Sequence, residues 1–165
     1  MRRRLADLPA PLVPVGYALR PLGPTDLPIW VDLMRRNGEL GQWSAERAAA
    51  LFGGQIELAA SFVVTRGDVA VATAQLNPHR LDEYAPTPEL GWVAADPAHR
   101  GRGLGRAVCL AVLRAAAAAG HREIFLRTDD HRRPAIALYL SLGFIPWLRD
   151  PTAPARWRAV QKEIG

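Results

Sequence analysis

The stretch Val93-Ala94-Ala95-Asp96-Pro97-Ala98-His99-Arg100-Gly101-Arg102-Gly103-Leu104-Gly105-Arg106 decides how this chain is read. A short apolar run meets a Pro-bounded turn, and a glycine-rich basic loop then opens a helix. Gly101, Gly103 and Gly105 carry no Cβ, so the backbone there reaches unusual dihedrals and approaches a ligand closely. The helix that follows presents unpaired N–H groups and the positive end of its dipole. Together these features favour a phosphate or pyrophosphate. Arg100, Arg102 and Arg106 add positive charge around the same point. A plain glycine turn without a ligand is the alternative.

The spacing separates the kinds of anion carrier. A dinucleotide fold asks for G-x-G-x-x-G, and here the spacing is G-x-G-x-G from Gly101 to Gly105. It also asks for an acidic residue closing the next strand about 20 residues on. Glu123 instead opens the run Ile124-Phe125-Leu126, and Asp129 and Asp130 come late. A P-loop requires Gly-Lys-Ser/Thr, and no lysine stands here.

The segment Arg100-Gly101-Arg102-Gly103-Leu104-Gly105 resembles the acyl-CoA-binding motif Q/R-x-x-G-x-G/A of the GNAT N-acetyltransferase superfamily, matching every specified position. The preceding Glu89-Leu90-Gly91-Trp92-Val93-Ala94-Ala95 and its Asp-Pro turn are also similar to that family. A second block, Arg133-Pro134-Ala135-Ile136-Ala137-Leu138-Tyr139-Leu140-Ser141-Leu142-Gly143-Phe144, resembles the family signature A-x-x-L-Y-x-x-x-G-F. The close resemblance covers roughly residues 88–146 and a weaker one runs from about Tyr17 onward.

Working outward, 165 residues predict one domain, residues 1–165, with one core. Hydrophobic residues make up 49% and charged residues 22%, as in ordinary globular chains. No run of 18 apolar residues implies a transmembrane helix. Met1-Arg2-Arg3-Arg4 resembles a signal n-region, but the following Leu-Ala-Asp-Leu-Pro-Ala-Pro is too polar and Pro-broken for an h-region, so a cytoplasmic location is expected. One cysteine, Cys109, precludes an internal disulfide and a zinc cluster of its own. The net charge is +5, and every basic residue except Lys162 is arginine. That charge suits either a nucleic acid or a cofactor bearing several phosphates. The arginines are dispersed apart from the N-terminal triplet and the glycine loop, and no aromatic-basic RNA motif is present, so no nucleic acid is expected.

Residues 1–16, with Pro9, Pro11 and Pro14, read as a loose arm. Tyr17–Pro21 reads as a strand. Thr25 or Asp26 caps a helix to about Asn37 with Gly38 as its stop, carrying the stripe Leu27, Ile29, Trp30, Leu33 and Met34. A second helix runs from Ser44 to near Gly53-Gly54. Ser61–Thr65 and Val69–Leu76 flank Arg66-Gly67-Asp68 as a β-hairpin. A Pro-bearing loop over 77–88 leads to the strand at Glu89. Leu104–Ala119 is an apolar helix stopped by Gly120, and Glu123–Thr128 a buried strand. Pro134 suits the first turn of the next helix, which Gly143 ends. The tail with Trp147, Trp157 and Val160 is expected to add one or two antiparallel strands. The order β-α-α-β-β-β-α-β-α-β predicts an α/β fold with a mixed sheet. The resemblance implies the GNAT-like version, mostly antiparallel and flanked by about four helices.

The resemblance implies direct acyl transfer from acetyl-CoA to a primary amine of a small molecule, with no covalent enzyme intermediate. A peptide or protein acceptor and a non-catalytic acyl-CoA sensor are the alternatives. Amides around Arg102, Gly103, Leu104, Gly105 and Arg106 are then expected on the pyrophosphate. Backbone groups near Trp92, Val93 and Ala95 are expected to pair with the pantetheine arm like an added strand. An N–H near Val93 can polarise the thioester carbonyl. An alkylammonium, with a pKa of roughly 10, must lose a proton before it attacks. Glu89, where family members often place a general base, is the candidate, ahead of His79, Asp82 and Glu83. Its alternative role is a strand-end partner for an arginine. Tyr139 matches the family's usual general acid for the departing thiolate, and a packing tyrosine is the alternative. In relatives the first two helices flank the acceptor, which puts Trp43 and its neighbours near substrate; taken singly, each is expected to pack. Many relatives carry an asparagine near the start of Tyr139's helix. Here Asp129-Asp130-His131-Arg132-Arg133 stands instead, with His131 or Arg132 within reach of a phosphate. Cys109, set in an apolar helix, receives no nucleophilic role. Homodimers are common among relatives, and the tryptophan-bearing tail can supply an interface.

Overall fold

The computed structural model describes residues 1–78, 87–149 and 151–164. Six strands are present: β1 (Arg2–Arg4), β2 (Ala18–Pro21), β3 (Phe62–Arg66), β4 (Val69–Asn77), β5 (Glu89–Ala95) and β6 (Glu123–Phe125). They form one sheet in the order β1-β6-β5-β4-β3-β2. Every neighbouring pair is antiparallel except β5–β6, which is parallel. Five helices accompany the sheet: α1 (Leu27–Asn37), α2 (Ala45–Ala50), α3 (Leu104–Ala118), α4 (Arg133–Ser141) and α5 (Ala153–Ile164). None is long and apolar enough to cross a membrane.

Two apolar clusters sandwich the sheet. Val64, Ala72, Ala74 and Leu76 pack with α3 residues such as Val108, Val112 and Leu113. Val63, Ala70 and Ala94 pack with Trp30, Leu33 and Met34 of α1 and with Trp43. The apolar stripe of α1 thus faces the sheet, and Gly38 ends that helix in the left-handed region at φ 70°. Arg36 at its last turn donates to Asp96 Oδ2 at 2.7 Å and to Ala70 O at 2.6 Å, fixing α1 against the turn that enters the glycine loop.

The first residues are not a loose arm. Arg2–Arg4 pairs in register with Phe125–Glu123, and Leu5 N donates to Arg122 O at 2.9 Å. Arg3 also donates to Leu142 O, and Arg114 of α3 donates to Leu8 O at 2.9 Å. The reason is α3 itself, whose nine buried residues leave it apolar nearly all round. A helix of that kind must be covered on both sides, and Leu5, Leu8 and Val13 pack against the cluster that α3 forms with the sheet. The later part of the segment reaches solvent, with Leu12 82% exposed and Val15 fully exposed.

The tail is likewise a helix and not a pair of strands. Trp157, Val160 and Ile164 recur at the three-to-four-residue period of a helix. Val160 is buried, and Glu163 accepts from Arg133 at 2.6 Å, docking α5 on α4. Strand β6 is also shorter than its apolar run, ending at Phe125. The second helix stops at Ala50 and continues as a wider π-type turn over Leu51–Gln55, where Gly54 takes φ 141°.

Asp26 anchors the start of α1. Its carboxylate accepts from Arg20 at 2.6 and 2.7 Å and from the Gly23 amide at 2.8 Å. The Arg20 hydrogen bond, helped by Gly23 and opposed by burial, holds this carboxyl below its ordinary range. A depressed carboxyl contributes stability that is complete above the unfolded value of about 4 and is lost as pH falls through the lower folded value. Asp26→Asn is therefore expected to lower stability at pH 7 by about 1.5–3 kcal/mol. Urea unfolding at pH 7 and across pH 2–5 checks this: the variant's acid-dependent loss should be smaller than that of the unaltered chain.

Candidate functional site

Strand β5 is irregular where the chemistry is expected. Its pairing with β4 steps from Thr73↔Ala94 to Gln75↔Gly91, so β5 carries one extra residue there. Trp92 takes φ 48°, a left-handed conformation rare for a bulky residue. This is a β-bulge, which interrupts the ladder and re-aims neighbouring groups. On its other side β5 pairs with β6 only at Glu89↔Phe125. The edge of β5 toward Val93 and Ala95 therefore lies open to the cleft rather than to a strand.

That cleft, about 640 Å³ in volume, has Val93 and Ala95 on one side. The glycine loop supplies Arg100, Gly101 and Gly103, and the first turn of α3 supplies Leu104, Gly105 and Arg106. Gly103 caps α3 at φ 75° with no side-chain hydrogen bond, so the first amides of the helix keep their donors. A Cβ at Gly101 or Gly103 would touch no protein atom within 4 Å; the glycines serve positive φ and open space. Pro134, Ala135 and Leu138 of α4 form an apolar wall. Unpaired amides, guanidinium groups and an apolar channel in one cleft suit a phosphate head joined to an uncharged arm.

A strap from the end of α1 crosses to this cleft. Asn37 Nδ2 donates to Ala95 O at 3.0 Å. Glu39 accepts from Arg100 at 2.5 Å, and its carbonyl oxygen accepts from Arg132 at 2.9 Å. His99 also lines the cleft and meets the Tyr17 hydroxyl at 2.9 Å. Asn37 and Glu39 carry no sequence motif. Only their place just around the helix-stop Gly38, at the edge of a buried helix, hinted at a role. His131 and Arg132 do reach this cleft, in the segment that replaces the relatives' asparagine.

Trp92 and Arg102, expected beside the ligand, do not line the cleft. Arg102 is exposed. Trp92 turns to the other face of the sheet, where its ring packs edge-on against Trp43 at 4.9 Å. Trp43 packs in turn against Trp30 at 4.6 Å, and Arg47 stacks over Trp43 at 4.1 Å. Trp43 is 4% exposed, which makes it a packing residue.

Glu89 is buried and outside the cleft. Both its oxygens accept from Arg127, at 2.8 and 3.0 Å, and Oε2 also receives Asn77 Nδ2 at 3.4 Å. Arg127 escaped the sequence reading because its strand partner was not known. Tyr139 sits one residue behind the cleft-lining Leu138, 6% exposed, with its ring 6.0 Å from that of Phe144. Burial, with Cys109 nearby, pushes the phenol well above its ordinary range, so it stays protonated at every working pH. His79, Asp82 and Glu83 lie outside the described residues. A second cavity, of about 280 Å³, lies between the end of β6 and α5, with Arg127, Thr128, Trp147 and Trp157 in its lining.

Comparisons with known proteins bear on the family and the fold. Residues 28–144 match the acetyltransferase (GNAT) family. Over 159 residues the chain is 35% identical to a mycothiol acetyltransferase of Thermobispora bispora, covering 91% of this chain and 54% of the relative. It is 34% identical to the mycothiol acetyltransferase of Nocardia farcinica over 161 residues, covering 88% and 52%. The chain thus spans about half the length of these curated relatives. Among solved structures, the ribosomal-protein-S18-alanine N-acetyltransferase from Escherichia coli superposes with a TM-score of 0.64 at 27% identity, covering 79% of each chain.

Cys109 lies on α3 with no exposure, and burial pushes its thiol up to about 12. A thiol is nucleophilic only as thiolate. The native protein is expected to release no colour with an aromatic disulfide reagent at pH 8, and one equivalent per chain once unfolded in guanidinium. Rapid labelling of the native state would show Cys109 to be accessible.

Proposed function

The chain belongs to the acetyltransferase (GNAT) family, and from that premise we propose that it carries an acetyl group from acetyl-CoA directly to a primary amine of a small molecule in the cytoplasm. The observation that carries this reading is the meeting, in one cleft, of the uncapped α3 N-terminus with the open, bulged edge of β5. In this reading the amides of Gly103, Leu104, Gly105 and Arg106 bind the pyrophosphate, with Arg100 and Arg132 supplying positive charge. The pantetheine arm runs along Val93 and Ala95 against the apolar wall of α4. The Val93 amide, beside the bulge, polarises the thioester carbonyl and binds the oxyanion as it forms. Glu89 receives the acceptor's proton. Tyr139, kept protonated by burial, gives its proton to the departing thiolate as the C–S bond breaks and the new C–N bond forms. The phenol's place behind Leu138 asks for a local shift of α4 when the thioester arrives. Acceptor chemistry in relatives supports two classes: a small molecule, from the mycothiol acetyltransferases, and a protein alanine, from the Escherichia coli enzyme. The greater identity favours the first.

Calorimetric titration of acetyl-CoA, followed by thiol release with glucosamine, neamine and an alanine-initiated peptide, tests the reading. Micromolar binding and turnover with an amino sugar support it, turnover with the peptide alone moves the acceptor to the second class, and no binding removes the assignment. Tyr139→Phe is expected to lower kcat about 100-fold with the acetyl-CoA Kd nearly unchanged. Gly103→Asp should raise that Kd roughly tenfold or more, through strain at positive φ and a negative charge at the helix N-terminus.

A further inference from the structure

Gln75 is the most anomalous side chain among the described residues. It lies on β4 with no exposure, and neither its Nε2 nor its Oε1 has a hydrogen-bond partner. Asn77, two residues on, has an unpaired buried Oδ1. A buried polar group without a partner costs about 1–3 kcal/mol, so two adjacent ones on a central strand call for an explanation beyond folding.

Their register supplies one. Residues i and i+2 of a strand share a face, and directly paired residues of antiparallel strands share it too. Asn77 is paired with Glu89 and Gln75 with Gly91, immediately before the bulge at Trp92. Asn77 and Gln75 thus run along the interior from Glu89 to the bulge. Gly91 makes the row continuous, because a Cβ there would run into the Asn77 amide. Glu89, by contrast, cannot serve the reaction alone. Three residues lie between it and Val93, and four strand steps of 3.3 Å span at most about 13 Å, whereas a base works within hydrogen-bond reach or through one water.

We propose that Gln75 and Asn77 are positioning residues that hold a short hydrogen-bonded water path between the acceptor amine at the bulge and Glu89. The inference rests on the reading of Glu89 as the base. The ammonium N–H bond breaks and its proton passes to the water at Gln75. That water passes one of its own protons to a second water held at Asn77 Oδ1, and a proton of the second water forms the O–H bond on Glu89. The freed nitrogen lone pair attacks the thioester carbonyl. The carboxamides are not themselves protonated; Gln75 accepts from and donates to the waters, while Asn77 holds the second water through its unpaired Oδ1 and donates to Glu89 through Nδ2. Among the described residues, the charged groups facing Glu89 include Arg127, paired through both oxygens, and the Met1 amino group, which acts on it through space.

The test compares two nucleophiles with acetyl-CoA. Ethanolamine is an ammonium ion at pH 7 and must be deprotonated; hydroxylamine is already neutral. Gln75→Met is isosteric and removes an unpaired amide from the core, so the fold should be at least as stable, checked by thermal unfolding. The expected result is a tenfold or greater loss of kcat with ethanolamine at pH 7 and less than a twofold loss with hydroxylamine. The ethanolamine rate should recover as pH rises toward the amine's pKa of roughly 10, with KM for acetyl-CoA unchanged. Glu89→Gln, run in parallel, separates the two readings. If Glu89→Gln is selective for ethanolamine and Gln75→Met is not, the path is overturned and the base stands. If neither is selective, both fall.

Discussion

A tryptophan held in the left-handed backbone region is the constraint on which the rest of this structure depends. Placing Trp92 at φ 48° costs about 1–2 kcal/mol relative to an ordinary strand conformation. Such a residue persists only where its surroundings over-determine it. Here the stack Trp30–Trp43–Trp92, capped by Arg47, supplies edge-on ring contacts of 4.6 and 4.9 Å, each worth about 0.5–1.5 kcal/mol beyond simple burial. The side of the sheet covered by α1 therefore stabilises a distortion whose effect is felt at the open edge of β5.

Electrostatics follow the same division of labour. The arginine-rich composition first looked like a general attraction for polyanions, yet most described guanidinium groups have specific partners. Arg20 fixes Asp26, Arg36 fixes Asp96, Arg127 fixes Glu89 and Arg156 fixes Asp130. At Asp96 burial opposes the charge, but the Ala98 amide and Arg36 outweigh it and hold the carboxyl below its ordinary range. Arg100, Arg102 and Arg106 gather at the glycine loop, beside the N-terminal amides of α3. Arg100 shares that place with the carboxylate of Glu39, a surface pair that is weak and easily exchanged.

The glycine loop, α3 and the β5 strand were legible in the sequence because each is local: turn residues, caps and apolar runs speak within about a dozen positions. The N-terminal strand and the tail helix were not. Arg2–Arg4 has no strand pattern of its own and becomes a strand only because β6 offers an edge. The tail was read by its aromatic residues, while the period of Trp157, Val160 and Ile164 spoke for a helix. At the site, Gly101, Gly103 and the first turn of α3 were readable from spacing. The bulge at Trp92, the Arg127 partner of Glu89 and the strap at Asn37 and Glu39 depend on register and on contacts between distant segments, which one sequence does not contain.

Burial of α3 on nearly every side has a consequence for recognition. Val108, Cys109, Val112, Leu113 and Ala116 have no exposure, so this helix cannot rotate or slide without opening the core. Its N-terminal donors consequently stand in their final directions before any anion arrives. In the proposed reading, an anion bound there meets little reorganisation cost at that end, and its affinity comes from preorganisation rather than from the number of contacts. The strap at Glu39, held by exposed hydrogen bonds, has the opposite character and can adjust. Recognition in this cleft joins a rigid head site to an adaptable rim.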